Sequence, residues 1–323
     1  MKVRILNRWT ILLLIISISF VGCSKDDDMS ILTDPVGDTD GNDGDGNNGG
    51  GSQAGTQGEI TLYRVNGSDL QKIRDYQVTG QDVAYQNDVT KHQELWGLTK
   101  NVVPLANRNK MSEFMIYNGS VTGSAGYVVE TKQDLSEWQM GLAINYADDQ
   151  NELVYTIIHE FGHILTLNDT QVDASISSGA CSSYFTGEGC SKNASYINKI
   201  FELGWKDVWS EFQQAQNNQA DHQAFYEKYR DRFVTNYAST NPGEDIAEVF
   251  ATFVTRNDKP TGTTIAEKKI LLMYDHSELV ELRNYIRTNL NVGGRSRSML
   301  PAPGSWKKAN TLGDSKHSHC KLH

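Results

Sequence analysis

Residues 155 to 169 read YTIIHEFGHILTLND, and within them His159-Glu160-x-x-His163 sets two imidazoles around a carboxylate. On a helix, residues at i and i+4 have Cβ atoms about 5–6 Å apart, close enough for both imidazoles to reach one ion through bonds of about 2.0–2.1 Å. A carboxylate beside such an ion can take a proton from water and return it to a leaving amine. The chemistry on offer is metal-assisted hydrolysis. The plain alternative is a pair of histidines decorating an amphipathic helix, and Glu160 is the residue that argues against it.

Wrapped at the helical period, the segment puts His159, His163, Glu152 and Thr156 on one side and Leu153, Val154, Ile157, Ile158, Phe161, Ile164 and Leu165 on the other. The helix is expected to bury its apolar back and present its histidines. Asp149 followed by Glu152 has the form of a capping box, so the helix should start just after the strand-like run GLAINYA, residues 141 to 147.

Zinc needs a third protein ligand, and two candidates are open. Asp169 stands at the last position of an HExxHxxGxxH-type extension, but Thr166 replaces the glycine that lets the chain leave the helix there. Asp169 therefore reads better as a solvated residue at the helix end. The other candidate lies in NPGEDIAEVFATFV, residues 241 to 254, where Asn241 and Pro242 make a helix start by capping and by preset φ. Glu244 and Glu248 stack there at i, i+4. Ala247 and Ala251 flank them, small enough for another helix to approach, while Ile246, Val249, Phe250 and Phe253 fill the opposite side. Glu244 as a cap partner and Glu248 as a surface charge is the bland version; two histidines facing two carboxylates over apolar backs is the more complementary one.

These segments resemble the gluzincin zinc peptidases, and most closely the anthrax lethal factor type, in which a tyrosine precedes the ligand glutamate by seven residues and a second glutamate follows it by four. YASTNPGEDIAE supplies Tyr237, Glu244 and Glu248 at those positions. The resemblance implies one Zn²⁺ held by His159, His163 and Glu244, with Glu160 as general base. It also implies that Tyr237 stabilises the developing oxyanion and that Glu248 accepts the outer N–H of a ligand histidine.

The N-terminus sets a context for this chemistry. Lys2, Arg4 and Arg8 precede the apolar run ILLLIISISFV, which is too short to span a bilayer and reads as a signal peptide over residues 1 to 22. FVGC resembles a lipobox, with Phe20 in place of the usual leucine, and makes Cys23 the expected lipidation site. Residues 23 to 58 are rich in Gly, Asp and Asn and form a flexible acidic tether. DTDGNDGDG inside it is not a calcium loop, because Asp43 sits where a glycine is needed and Gly49 where a closing glutamate is needed. SKDDD directly after Cys23 is similar to the export signal of Bacteroidetes lipoproteins, which implies the outer face of the outer membrane.

Residues 59 to 293 form the expected metallopeptidase domain. The net charge of −10 for the 323-residue chain argues against nucleic acid as a partner. Strand-like runs EITLYRVN, EFMIYNGS and GYVVET precede the histidine helix and helical patterns follow it. The fold class is α+β, zincin-like: a small mixed sheet, then the HExxH helix and a mainly helical half. Between the two site helices lies an insert, residues 172 to 194, whose Cys181 and Cys190 are placed for a local disulfide in an exported protein. Trp205, Trp209, Phe225 and Phe233 read as core. Residues 294 to 323 read as a disordered basic tail, and its His317, His319, Cys320 and His323 as non-functional.

Anchor, tether and motif together resemble the lipoprotein family called substrate import-associated zinc metallohydrolases, encoded beside TonB-dependent importers. The resemblance implies a cell-surface peptidase acting on a peptide or protein substrate, tied to the membrane by its lipid and linked to importer components. The alternative is a zinc-containing lipoprotein of such an import system that captures substrate without cutting it.

Overall fold

β-Branched and aromatic residues at alternate positions make the strands, and capped amphipathic stretches make the helices. The computed structural model of the chain describes residues 57–291; the signal peptide, Cys23, nearly all of the tether and the basic tail lie outside the described residues. β1 (Glu59–Asn66) and β2 (Asp69–Asp75) open the chain, followed by α1 (Gln81–Asn87) and α2 (Val89–Val102). Then come β3 (Met111–Tyr117), β4 (Gly126–Glu130), β5 (Trp138–Ala143) and α3 (Gln150–Leu167). The insert holds β6 (Val172–Asp173) and β7 (Cys190–Ser191). The second half is helical: α4 (Tyr196–Gly204), α5 (Trp209–Ala215), α6 (Gln219–Lys228), α7 (Pro242–Thr255), α8 (Ile265–Tyr274) and α9 (Ser277–Asn291). Among the described residues no helix is long and apolar enough to cross a membrane.

Five strands form one sheet in the order β2-β1-β3-β5-β4. Only the β3–β5 pair is parallel, so the sheet is mixed as expected. Its helix-facing side carries Ile60, Tyr63, Phe114, Ile116, Val128, Trp138, Met140 and Leu142, packed on Leu95 and Trp96 of α2 and on Leu153, Val154, Ile157, Ile158 and Phe161 of α3. The other side is a smaller cluster of Leu62, Met115, Tyr117 and Ala143 with Tyr76, Tyr127 and Tyr146 against it. There the Tyr127 ring lies across Gly141, where a Cβ would come within 2.2 Å of it.

Sequence-based boundaries shift: the run EFMIYNGS belongs to a strand over Met111–Tyr117. The run read as a strand over residues 141 to 147 is a strand only to Ala143 and then a 3-10 turn over Ile144–Tyr146, which swings the chain from the sheet into α3. The aromatic stretch after residue 196 is broken at Trp205 into α4 and α5. Of its aromatics, Trp205, Phe225 and Phe233 are core residues and Trp209 is partly buried against them.

α7 runs through the middle of the helical half and is fixed at both ends. Asn241 caps its start by accepting Glu244 N–H, with Pro242 at the first turn. At its far end Arg283 and Arg287 of α9 donate to the carbonyls of Phe253, Val254 and Arg256, groups that have no partner within a helix. Near its start Asp245 is fully buried and accepts from Trp205 Nε1 at 2.7 Å and from Lys269 Nζ of α8 at 2.5 Å. Burial, opposed by the other's charge, pushes Asp245 up and Lys269 down from their ordinary pKa values. Gly204 makes room for this lysine, since a Cβ there would meet its Cε at 2.2 Å.

Removing one member of a buried ion pair leaves the other charge uncompensated, at a cost of about 3–5 kcal/mol. Lys269→Met should therefore lower the thermal midpoint strongly, and adding Asp245→Asn should recover a good part of the loss. Calorimetry of the two variants beside the parent checks this, and equal midpoints for parent and Lys269→Met would refute it.

Candidate metal centre

α3 begins where Asp149 accepts the N–H groups of Asn151 and Glu152, as the sequence suggests, and ends at Leu167. Its histidine side is not presented to solvent. His159, Glu160 and His163 are 1 %, 4 % and 1 % exposed, because α7 packs along that side. The close approach depends on small residues: a Cβ on Gly162 would lie 3.2 Å from the Cα of Ala247 and 3.2 Å from a ring carbon of Phe250.

Across this contact Glu244 Oε2 lies 3.1 Å from His159 Nε2 and 3.4 Å from His163 Nε2, and the two imidazole nitrogens are 3.0 Å apart. These three residues are the group among the described residues able to hold a metal ion. Tetrahedral bonds of about 2.0–2.1 Å separate ligand atoms by about 3.3–3.4 Å, so the triangle is close to one face of a zinc tetrahedron. Two imidazole nitrogens and a carboxylate oxygen are also a donor set zinc takes. The residues present fit the ion.

Asp169, the competing candidate, lies just beyond the end of α3. Its carboxylate pairs with Lys110 at 2.5 Å and its amide donates to Leu135 O at 3.2 Å, away from the triangle.

Glu248 is buried, not a surface charge, and its Oε1 lies 2.8 Å from His159 Nδ1. A carboxylate only accepts, so Nδ1 carries the hydrogen and Nε2 is the nitrogen turned toward Glu244. Burial, the largest influence, disfavours the His159 cation, but hydrogen bonds and charges from Glu244 and Glu248 outweigh it and raise the pKa to about 9 in the metal-free protein.

Tyr237 opens the 3-10 turn Tyr237–Ser239 that leads into α7, with its ring centroid 5.8 Å from that of His159. Burial first, then the charges of Glu244, Glu160 and Glu248, holds its phenol well above the ordinary range, so it stays a neutral O–H donor. His222 of α6 steadies the turn through Nε2, 2.9 Å from Ser239 O. Glu160 lies under the edge strand: a Cβ on Gly126 of β4 would meet Thr156 Cγ2 at 2.6 Å, Glu160 Cγ at 3.0 Å and Glu160 Oε1 at 3.3 Å. In the insert, Cys181 and Cys190 are joined in a disulfide, and β6 pairs with β7 beside it.

Sequence reasoning missed Gly126, Thr235 and Tyr155, the last two being donors to Glu248. A glycine opening a strand run gave the first some signal. The other two had none.

The family model described as "putative zinc-binding metallo-peptidase" matches residues 133–278, the span that contains His159, Glu160, His163, Tyr237, Glu244 and Glu248. No curated protein and no solved structure matches the chain. Over that span the chain is similar to a zinc-binding peptidase family, and the mixed sheet with many helices is consistent with it.

Proposed function

We propose that the chain is a zinc peptidase with a zincin-like site of the gluzincin, lethal factor-like type, carried at the cell surface as a lipoprotein. The observation that carries the reading is the buried triangle of His159 Nε2, His163 Nε2 and Glu244 Oε2 with Glu160 between the histidines in sequence. Zinc held by these residues supplies Lewis acidity, polarising a carbonyl oxygen and bringing the pKa of a water toward about 7.

The chain's own residues do the rest. Glu160 takes the proton from water and delivers it to the leaving amine. Tyr237, neutral and close to His159, donates to the carbonyl oxygen as negative charge develops there. Glu248 keeps His159 in one tautomer and one orientation. β4 ends the sheet order, so an extended substrate backbone can pair along it, and Gly126 keeps that backbone close above Glu160.

Metal analysis of the mature chain tests the centre: about one tightly held zinc in the parent and a clear loss in Glu244→Ala. Glu160→Gln should keep the metal while turnover of a mixed peptide library falls by roughly 10²–10⁴. Undiminished zinc in Glu244→Ala would move the third ligand elsewhere. A parent that holds zinc yet cleaves no better than Glu160→Gln would favour the capture-without-cutting alternative.

The pH behaviour follows from His159. Its folded pKa of about 9 lies above the ordinary 6.5, so in the metal-free protein its contribution to stability is complete below about pH 6.5 and is lost as pH rises through about 9. Chelator-treated protein should lose thermal stability across that window. Zinc, occupying the same nitrogen, should remove the trend and release about one proton on binding at pH 7.5, measurable in buffers of different ionisation enthalpy.

The lipoprotein part of the reading rests on the residues 1–22 pattern and Cys23. Cys23→Ser should move the protein from the membrane fraction to the soluble one, and protease shaving of intact cells should reach the parent if it faces outward. A Cys23→Ser protein that stays with the membrane would refute the anchor.

A further inference from the structure

Glu248 is gripped from three sides. His159 Nδ1 donates to Oε1 at 2.8 Å, Thr235 Oγ1 to Oε2 at 2.7 Å, and the Tyr155 hydroxyl to Oε2 at 3.3 Å. Thr235 belongs to neither α3 nor α7; it sits in the connection between α6 and α7. Its oxygen has a second bond, accepting the Ala238 N–H at 3.1 Å, the amide that follows Tyr237. A hydroxyl has one hydrogen to give and lone pairs to spare, so both bonds form together: the hydrogen goes to Glu248 and the oxygen takes the amide. The direction is settled by the partners, because an ionised carboxylate and a backbone N–H leave Thr235 no other assignment.

We propose that Thr235 is a positioning residue that couples the Tyr237 turn to the metal-binding imidazole of His159 through Glu248. The inference rests on the reading of His159 as a ligand. One side of the Thr235 hydroxyl fixes the carboxylate that orients His159; the other fixes the turn from which the phenol reaches the same centre. A purely local role, a threonine shaping a turn through its own backbone, explains the Ala238 bond. It does not explain the bond to Glu248, which crosses to the helix that carries Glu244.

Loss of a partner that orients a ligand costs 10–100-fold in metal affinity. Thr235 acts one bond further out and Tyr155 remains on the same oxygen, so a smaller effect is expected, roughly 3–10-fold. The turn itself should survive its loss, because Ser239 N–H still donates to Asn236 O and His222 still holds Ser239 O.

The test is zinc release from the full mature chain to a chromogenic chelator, with hydrogen exchange at the Ala238 amide as a second readout. Thr235→Val keeps the shape and removes the hydroxyl; Thr235→Ser keeps the hydroxyl. The valine variant should release zinc roughly 3–10-fold faster and exchange Ala238 faster, the serine variant should stay near the parent in both, and valine should add little to the release rate once Glu248→Gln is present. If valine is not accommodated, Thr235→Ala removes the same hydroxyl without its bulk and is compared with serine in the same way. A folded Thr235→Val or Thr235→Ala that releases zinc at the parental rate overturns the coupling. A parent that binds no zinc overturns the metal reading itself, and the inference with it.

Discussion

His159, His163, Glu244 and Glu248 stand together with at most 2 % of their side-chain surface exposed, and the fold is organised around keeping them there. A buried charge without a fixed partner costs several kcal/mol, so carboxylates at this depth need donors in place before any ligand arrives. The two helices must come close enough for side chains to span between them, and Gly162 against Ala247 is the contact that permits it. A side chain on Gly162 would crowd α7 at Ala247 and Phe250 and force the two helices slightly apart.

α7 has to hold its register as well as its distance. Glu244 and Glu248 turn toward α3, while Asp245 turns the other way into Trp205 and Lys269. Arg283 and Arg287 bind the carbonyls at the far end of the helix. A slide of one residue along α3 would break the charged contacts on both sides at once. That gives the helix one position, and the turn before it is tied in by the His222 and Thr235 bonds.

Much of this was legible where local physics decides. Asp149 before α3, and Asn241 with Pro242 before α7, announced both helix starts through capping, and both caps form. β1 coincides with EITLYRVN and β4 lies within GYVVET because alternation and β-branched residues set them. β2 was not legible: it is an edge strand, mostly exposed, without an apolar alternation. Nothing in sequence marks Lys269 as buried or Gly204 as the residue that makes its pocket, and nothing near Thr235 points to a carboxylate on another element. Amphipathicity alone cannot tell water from a second polar helix on the histidine side of α3, and it was the two carboxylates beside small alanines at residues 244 to 251 that pointed to the helix.

The proton on His159 gives a measure of what the centre is built to hold. Burial alone would drive that imidazole toward its neutral form, yet it is held cationic up to about pH 9 by the two carboxylates that flank it. The site thus has a field strong enough to reverse the cost of burying a positive charge. In the metal-free protein a proton answers that field, on the same nitrogen that lies 3.0 Å from His163 Nε2 and 3.1 Å from Glu244 Oε2. A proton can satisfy only one such pair at a time, because each hydrogen points along one line. A divalent cation held by all three atoms would meet them at once and would carry twice the charge. A preference for a metal over a proton would then follow from geometry that α3 and α7 impose before either arrives.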